Sequence, residues 1–361
     1  MTSAVEIEYL GGPAIADLTL TDAEILDAVE AGLVAAGRGE TVIEPRMHLR
    51  PDAEIDGHFN VLRGFVAPLG LAGIKVVGDF HGNYKQGLPS EMGLLNLFDP
   101  MTGTPRAIVD AAGLTDMRTG AVTALGAKYL GPANPKILGH IGARGTAYWN
   151  VRLLDHLFDF DEIRVHSRRA ESRTPFAARL SEDLGKPVIA TSDWQDCLEG
   201  ADILVEASRL QEPAPLFDSS WVKAGALVIP YGTMSALPLD FTDRFDAFVM
   251  DDLGQMDAGP FGALRPHINA GKISKSSFYA EIGEIAAGLK PGRERAGQTM
   301  LFWHRGLAKS DIALGAFMLE KGPRTWAGAT PDMCLRLGVA LTFVAGIATV
   351  WQVYGMRMSS V

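Results

Sequence analysis

Cysteine is nearly absent: the 361-residue chain has two, Cys197 and Cys334. That is too few for a disulfide framework or a thiolate metal site, and a reducing cytoplasm is the expected compartment. Basic charge is also short, with 33 Lys and Arg against 43 Asp and Glu, a net charge of -10 and a pI near 5.3. Without a basic surplus, nucleic acid is not an expected partner. The eight histidines are scattered with no His-x-x-x-His pair, so no metal site is expected. The first residues, Met-Thr-Ser-Ala-Val-Glu-Ile-Glu, carry acids and lack the apolar core of a secretory signal. Long apolar runs are missing but for one, Leu337 to Tyr354, uncharged and flanked by Arg336 and Arg357. Its length approaches a bilayer span, yet Gly338, Gly346 and three polar residues weaken it. A buried helix packed on the body or on a second subunit reads the same, and a membrane anchor is not the favoured expectation.

What the chain has is enough apolar content, 47% against 21% charged, for two globular cores. Apolar residues at Ile25, Val29, Leu33 and Val34 recur with helical spacing, and Thr21 before Glu24 fits a capping box. Alternating runs follow around His58 to Val66, Ala72 to Asp79, Met92 to Phe98 and Ala107 to Ala111, with a hairpin turn at Asp99 to Gly103. This is a mainly β layer. A helix from Thr115 stops near Gly131-Pro132, a plausible boundary. Beyond it strands and helices alternate, through Ile137–Ile141, Glu162–His166, Val188–Ala190, Ile203–Ala207, Leu227–Pro230 and Ala247–Met250. Continuous apolar strands between helices imply a parallel sheet covered on both faces. The fold class expected is α/β, a Rossmann-type parallel sheet beside an α+β unit.

The pivot is Pro135 to Asn150, where an apolar strand meets a glycine turn and passes into a helix. A helix start offers free N–H groups and the positive end of its dipole to a pyrophosphate. The dinucleotide fingerprint is G-x-G-x-x-G/A, whereas Gly142, Ala143, Arg144, Gly145, Thr146 and Ala147 give G-x-R-x-x-A. Arg144 replaces the glycine that lets the backbone approach phosphate. Either Gly145 takes over the close approach or the arginine itself contacts phosphate; a ligand-free turn is the plainer alternative.

Arg46, Lys75 and Arg118 suit redox chemistry on an amino or imino acid. Guanidinium groups grip an α-carboxylate through paired hydrogen bonds, and a lysine among other cations trades its proton more readily. Each taken alone is also an ordinary surface ion-pair residue. At the end of the second parallel strand an NAD site normally has an acid for the ribose 2′-hydroxyl. Here Ser167, Arg168 and Arg169 stand there instead, so NADP(H) is expected over NAD(H), although exposed arginines are also common as solvated charge. His81, near the strand end that carries Lys75, is a further pocket candidate; His140 reads as a satisfied core histidine. Thr119 and Ser208 complete the expected cofactor contacts.

Several stretches together resemble the ornithine cyclodeaminase/mu-crystallin family. They are Gly73-Ile74-Lys75-Val76-Val77, Asn83 with Gly87-Leu88-Pro89, Asp99 with Thr102-Gly103-Thr104-Pro105, and Leu114-Thr115-Asp116-Met117-Arg118-Thr119-Gly120-Ala121. Ala201-Asp202-Ile203-Leu204-Val205, Glu281-Ile282-Gly283-Glu284-Ile285 and Lys309-Ser310-Asp311-Ile312-Ala313 agree, and the likeness runs from about residue 18 to 322. The resemblance implies a homodimer with a substrate-binding and dimerisation domain, residues 1–132 plus 313–361, and a nucleotide domain, 133–312. It implies that Arg46 and Arg118 hold the substrate, that Lys75 is the acid/base, and that Gly142, Thr146 and Ala147 form the pyrophosphate turn. It also puts Asp311 near substrate and nicotinamide, though a helix-cap role fits that residue nearly as well.

Cyclodeaminases in the family usually carry an aspartate in the segment that here reads Tyr231-Gly232-Thr233-Met234-Ser235-Ala236, with no acid before Asp240. A neutral side chain cannot hold a distal ammonium, which disfavours cyclisation of ornithine or lysine with bound NAD. The expected activity is NAD(P)H-dependent reduction of an α-imino acid or oxidation of an α-amino acid. A non-catalytic NADP-binding role, as in mu-crystallin, is the alternative from another class.

Overall fold

The computed structural model describes residues 5–52 and 54–322, so the apolar segment 337–354 lies outside the described residues. The chain opens with β1 (Glu8–Leu10), α1 (Gly12–Asp17) and α2 (Asp22–Gly37). The expected capping box starts α2: Thr21 Oγ1 accepts the Glu24 N–H at 3.3 Å, and the Glu24 carboxylate accepts the Thr21 N–H at 2.8 Å. Then come β2 (Thr41–Ile43), β3 (Met47–Leu49), β4 (His58–Val66), β5 (Leu71–Asp79), β6 (Glu91–Phe98) and β7 (Pro105–Asp110). They form one sheet in the order β1-β7-β6-β5-β4-β2, with β3 also paired to β4. The β layer read from alternation is present. Ala111, however, opens α3 (Ala111–Leu130) rather than ending a strand, because Asp110 caps it by accepting the Ala112 N–H at 2.8 Å.

The second sheet contains β8 (Ile137–Ile141), β9 (Glu162–His166), β10 (Val188–Ala190), β11 (Ile203–Glu206), β12 (Leu227–Pro230), β13 (Ala247–Met250), β14 (Phe278–Glu281) and β15 (Met300–Trp303). All its pairs are parallel, in the order β10-β9-β8-β11-β12-β15-β13-β14. Every residue of β11, β12 and β15 is buried, as a sheet covered on both faces requires. The sequence reading had no β14 or β15: four-residue apolar runs carry too little periodicity to separate strand from buried loop. Its helices are α4 (Ala147–Phe158), α5 (Ala170–Leu184), α6 (Trp194–Leu198), α7 (Arg265–Asn269) and α8 (Ile282–Ala286).

Two helices tie the layers together. Buried around most of its circumference, α3 packs on α2 and α4, and Gly120 permits the approach: a Cβ there would stand 2.6 Å from the Trp149 backbone. After β15 the chain returns in α9 (Ala308–Lys321), which packs on α2, β4 and β5. The expected division at 312/313 falls inside this continuous helix. Gly73 on β5 makes room for Ile312, since a Cβ would meet its Cγ1 at 2.5 Å, and so brings the first turn of α9 down on Lys75. No helix among the described residues is long and apolar enough to cross a membrane.

Candidate active site

A cleft with about 1040 Å³ of empty space, its open mouth included, lies between one face of the first sheet and the C-terminal ends of β8 and β11. The order of the second sheet reverses at these two strands, the point where open parallel sheets hold ligands. Arg46, Lys75, Arg118, Thr119, Arg144, Gly145, Thr146 and Ser208 line it, so residues far apart in sequence converge.

At the base, Lys75 Nζ donates to Asp311 Oδ1 at 2.5 Å and to Thr115 Oγ1 at 3.1 Å. Arg118 Nε donates to the same carboxylate oxygen at 2.7 Å. All three groups are buried, with Lys75 1% and Asp311 0% exposed. Burial and the neighbouring Arg118 bring the Lys75 ammonium down to about 7, against the upward pull of Asp311. Asp311 Oδ2 and Arg118 Nη1 have no hydrogen-bond partner among the described residues, and both are buried. Asp311 does stand in the first turn of α9, but it faces two cations instead of capping the helix.

Arg46 is tied by its Nη2, which donates to the carbonyls of Arg305 and Gly306 at 2.6 and 2.8 Å. Its Nε is buried and has no partner among the described residues. Sequence reasoning missed this loop. Gly306 has φ of +71°, and a Cβ there would meet Arg118 Nη1 at 1.7 Å, so one glycine seats both arginines. A glycine shortly before the helix that contains Asp311 was the available signal. His81 does not line the cleft; its Nδ1 stands 3.5 Å from Asp79, whose carboxylate is held by Arg209 at 2.7 Å. Arg209 is a cleft residue that the sequence did not single out, whereas Asp79 stood beside His81 in the sequence reading.

On the opposite wall, Gly142 and Gly145 take φ of +116° and +56°, values that L side chains avoid. The Gly142 N–H donates to the His166 carbonyl at 2.9 Å, and a Cβ would stand 2.8 Å from the Ala207 carbonyl oxygen. Ala143 completes the turn. Arg144 is exposed and donates from Nη2 to Ser172 Oγ at 3.2 Å, so its side chain reaches over the start of α5 and leaves the approach to the turn to Gly145. Thr146, the residue before α4, hydrogen-bonds the Tyr231 hydroxyl at 2.7 Å. The Ser208 hydroxyl is buried beside the Glu206 carboxylate, and the Ser208 N–H donates to Glu206 Oε1 at 2.7 Å. Burial pushes the Glu206 carboxyl up to about 7. His140 is the satisfied core residue expected, with Nδ1 3.1 Å from the Gly142 carbonyl and Nε2 3.0 Å from Asn150 Nδ2. The turn and the adjoining helix start fit a nicotinamide dinucleotide. Gly142→Ala should weaken NADH binding at least ~10-fold, since the strained φ and the Ala207 clash must both be relieved. A fluorescence titration showing wild-type affinity would refute this.

The segment where cyclodeaminases carry an aspartate contributes Tyr231, Gly232 and Thr233 to the cleft, not Met234, and Asp240 is exposed elsewhere. Among the described residues, the carboxylates that line the cleft are Asp79 and Glu91, both held by Arg209.

Among curated proteins, the chain is 30% identical over 302 residues to alanine dehydrogenase of Archaeoglobus fulgidus, covering 82% of this chain and 89% of that protein. Among solved structures it resembles Thermococcus litoralis Δ1-pyrroline-2-carboxylate reductase in complex with NADH and L-proline. That match has a TM-score of 0.81 and 25% identity, over 87% of this chain and 97% of the other. An archaeal alanine dehydrogenase dimer with bound NAD matches with a TM-score of 0.78 and 27% identity, over 87% of this chain and 95% of that one. These relatives overturn the expected preference for NADP(H), because their nucleotides are NADH and NAD. The physical basis of that expectation also fails. Arg168 and Arg169 are exposed at the start of α5, the Ser167 hydroxyl donates to the Arg169 carbonyl at 3.2 Å, and none of the three lines the cleft. Residues 13–323 match the family model of the same name that the motifs suggested, and the chain belongs to the ornithine cyclodeaminase/mu-crystallin family.

Proposed function

We propose that the protein is an NAD(H)-dependent oxidoreductase that interconverts an α-imino acid and the corresponding α-amino acid. The carrying observation is the buried Lys75–Asp311–Arg118 cluster at the base of a cleft whose other wall is the glycine turn. Gly142, Ala143, Arg144, Gly145, Thr146, Thr119 and Ser208 would hold the dinucleotide. The chemistry a bound NADH supplies is a hydride for the imino carbon. Arg46 and Arg118 bind the α-carboxylate and fix the imine plane against that face. Lys75 gives its proton to the imino nitrogen in reduction and takes one from the amino group in oxidation. The relatives named above act on amino and imino acids, and one of them is a dimer, which supports a dimer here as well. In this reading the substrate and dimer unit comprises residues up to 132 and the segment from 313, of which 313–322 are described, and the nucleotide unit is 133–312. The two-cysteine composition suits the cytoplasm.

The test is NADH oxidation with a panel of 2-oxo acids plus ammonia and of cyclic imino acids. Absence of turnover across the panel refutes the reading. The pH profile follows from Lys75, which must carry its proton to reduce an imine. Because its ammonium titrates near 7, reductive kcat should fall as pH rises through that value, and oxidative kcat should rise. Profiles of the same slope in both directions would remove Lys75 from the proton transfer.

A further inference from the structure

The base of the cleft is a sheet face, so strand register says what stands beside Lys75. Lys75 on β5 faces Leu62 on β4; two residues along, Val77 faces Asn60, and Asn60 faces His48 on β3. Residues two apart on a strand share a face, so Lys75, Asn60 and His48 all point into the cleft, whose lining includes them. Diagonal neighbours on adjacent strands lie about 7–8 Å apart. A substrate with its nitrogen at Lys75 therefore extends a side chain of one or two methylenes over Val77 toward Asn60 and His48.

Both ring nitrogens of His48 and the Asn60 Oδ1 are buried outside good hydrogen-bond geometry among the described residues, with Asn60 near enough to His48 and His58 to raise the proton affinity of both rings. His58, two residues before Asn60, adds a second ring 5.3 Å from His48 and stacks on Phe261 at 5.1 Å. The charges nearest them are two arginines, on both of which the buried Asp251 carboxylate also acts. Arg46 and Arg305 both bear on His48, and both donate only to main-chain carbonyls among the described residues. Burial and these arginines hold the His48 imidazole down at about 4, so it stays a neutral hydrogen-bond group beside two fixed cations. The carboxylates on this wall, Asp79 and Glu91, are engaged by Arg209. A neutral imidazole offers one N–H and Asn60 its Nδ2, so with Arg46 and Arg305, which form no ion pair among the described residues, this end of the cleft favours an anionic acceptor over an aliphatic side chain.

We propose that His48, Asn60 and Arg305 read a second carboxylate on the substrate side chain, making the substrate a short dicarboxylic α-imino or α-amino acid. This rests on the oxidoreductase reading above and narrows it. Two measurements keep the claims separable. The first compares kcat/KM for NADH oxidation with ammonia and oxaloacetate, 2-oxoglutarate or pyruvate, with the amino acid product identified. The diacids should be favoured by at least ~100-fold. The second is calorimetric titration of the NADH-loaded protein with succinate or propionate, which needs no turnover. Succinate should bind at least ~10-fold tighter, and Asn60→Leu and His48→Phe should each narrow that ratio. Pyruvate turned over as well as the diacids, or equal binding of the two acids, overturns the inference and leaves the oxidoreductase reading intact. Tighter succinate binding without turnover of any oxo acid upholds the second-carboxylate site and overturns the reaction instead.

Discussion

Lys75→Ala lowers kcat/KM for imine reduction by about 10²–10⁴-fold, the usual worth of a positioned general acid. The loss falls mainly on kcat, because the carboxylate grip proposed for Arg46 and Arg118 remains. Folding survives: Asp311 keeps its 2.7 Å contact with Arg118, so truncation leaves no isolated buried anion. NADH binding, read by fluorescence, stays near the wild-type value, since the glycine turn belongs to the opposite wall. The flattened pH profile is the second signature. Removing the group that titrates near 7 should abolish the opposite pH trends of the two reaction directions. A variant that retains full activity would place the proton transfer elsewhere.

Asp311→Asn has the opposite emphasis. It keeps the side-chain volume but removes the one carboxylate that holds two buried cations together, and breaking a buried pair from one side costs about 3–5 kcal/mol. Lys75 can escape by losing its proton; Arg118 cannot, because a guanidinium stays charged. The protein should unfold at lower denaturant concentration, measured by urea titration of far-ultraviolet circular dichroism. Asp311 raises the affinity of Lys75 for its proton, so its loss should shift the falling limb of the reductive pH profile below about 7. Unchanged stability together with an unchanged profile would show that the carboxylate neither supports nor tunes the cluster.

Which features were legible follows the range of the interactions that make them. The Thr21–Glu24 capping box, the strands from His58 to Asp110 and the glycine turn are local patterns, and each stands as read. Arg46, Lys75 and Arg118 could be singled out because their residue types suit one substrate and their flanks match a family. Thr115, a hydrogen-bond partner of Lys75, lay within a quoted motif, yet nothing in its spacing said that it would face β5. The misreading of Ser167, Arg168 and Arg169 has the same origin. Residue type offered cations suited to a phosphate, whereas burial and direction decide whether a cation is a ligand or solvated charge.

By itself the sequence determined the two-layer α/β plan, the turn at Gly142 and Gly145, and the chemical types gathered for the reaction, because periodicity, backbone freedom and side-chain chemistry are properties of short segments. The tertiary structure decided who meets whom. Only strand register sets His48 opposite Asn60, one diagonal step from Lys75. Only the return of α9 across β5, admitted by Gly73, brings Asp311 to a lysine 236 residues away. Such contacts rest on packing and loop closure across the whole chain, and no local pattern encodes them.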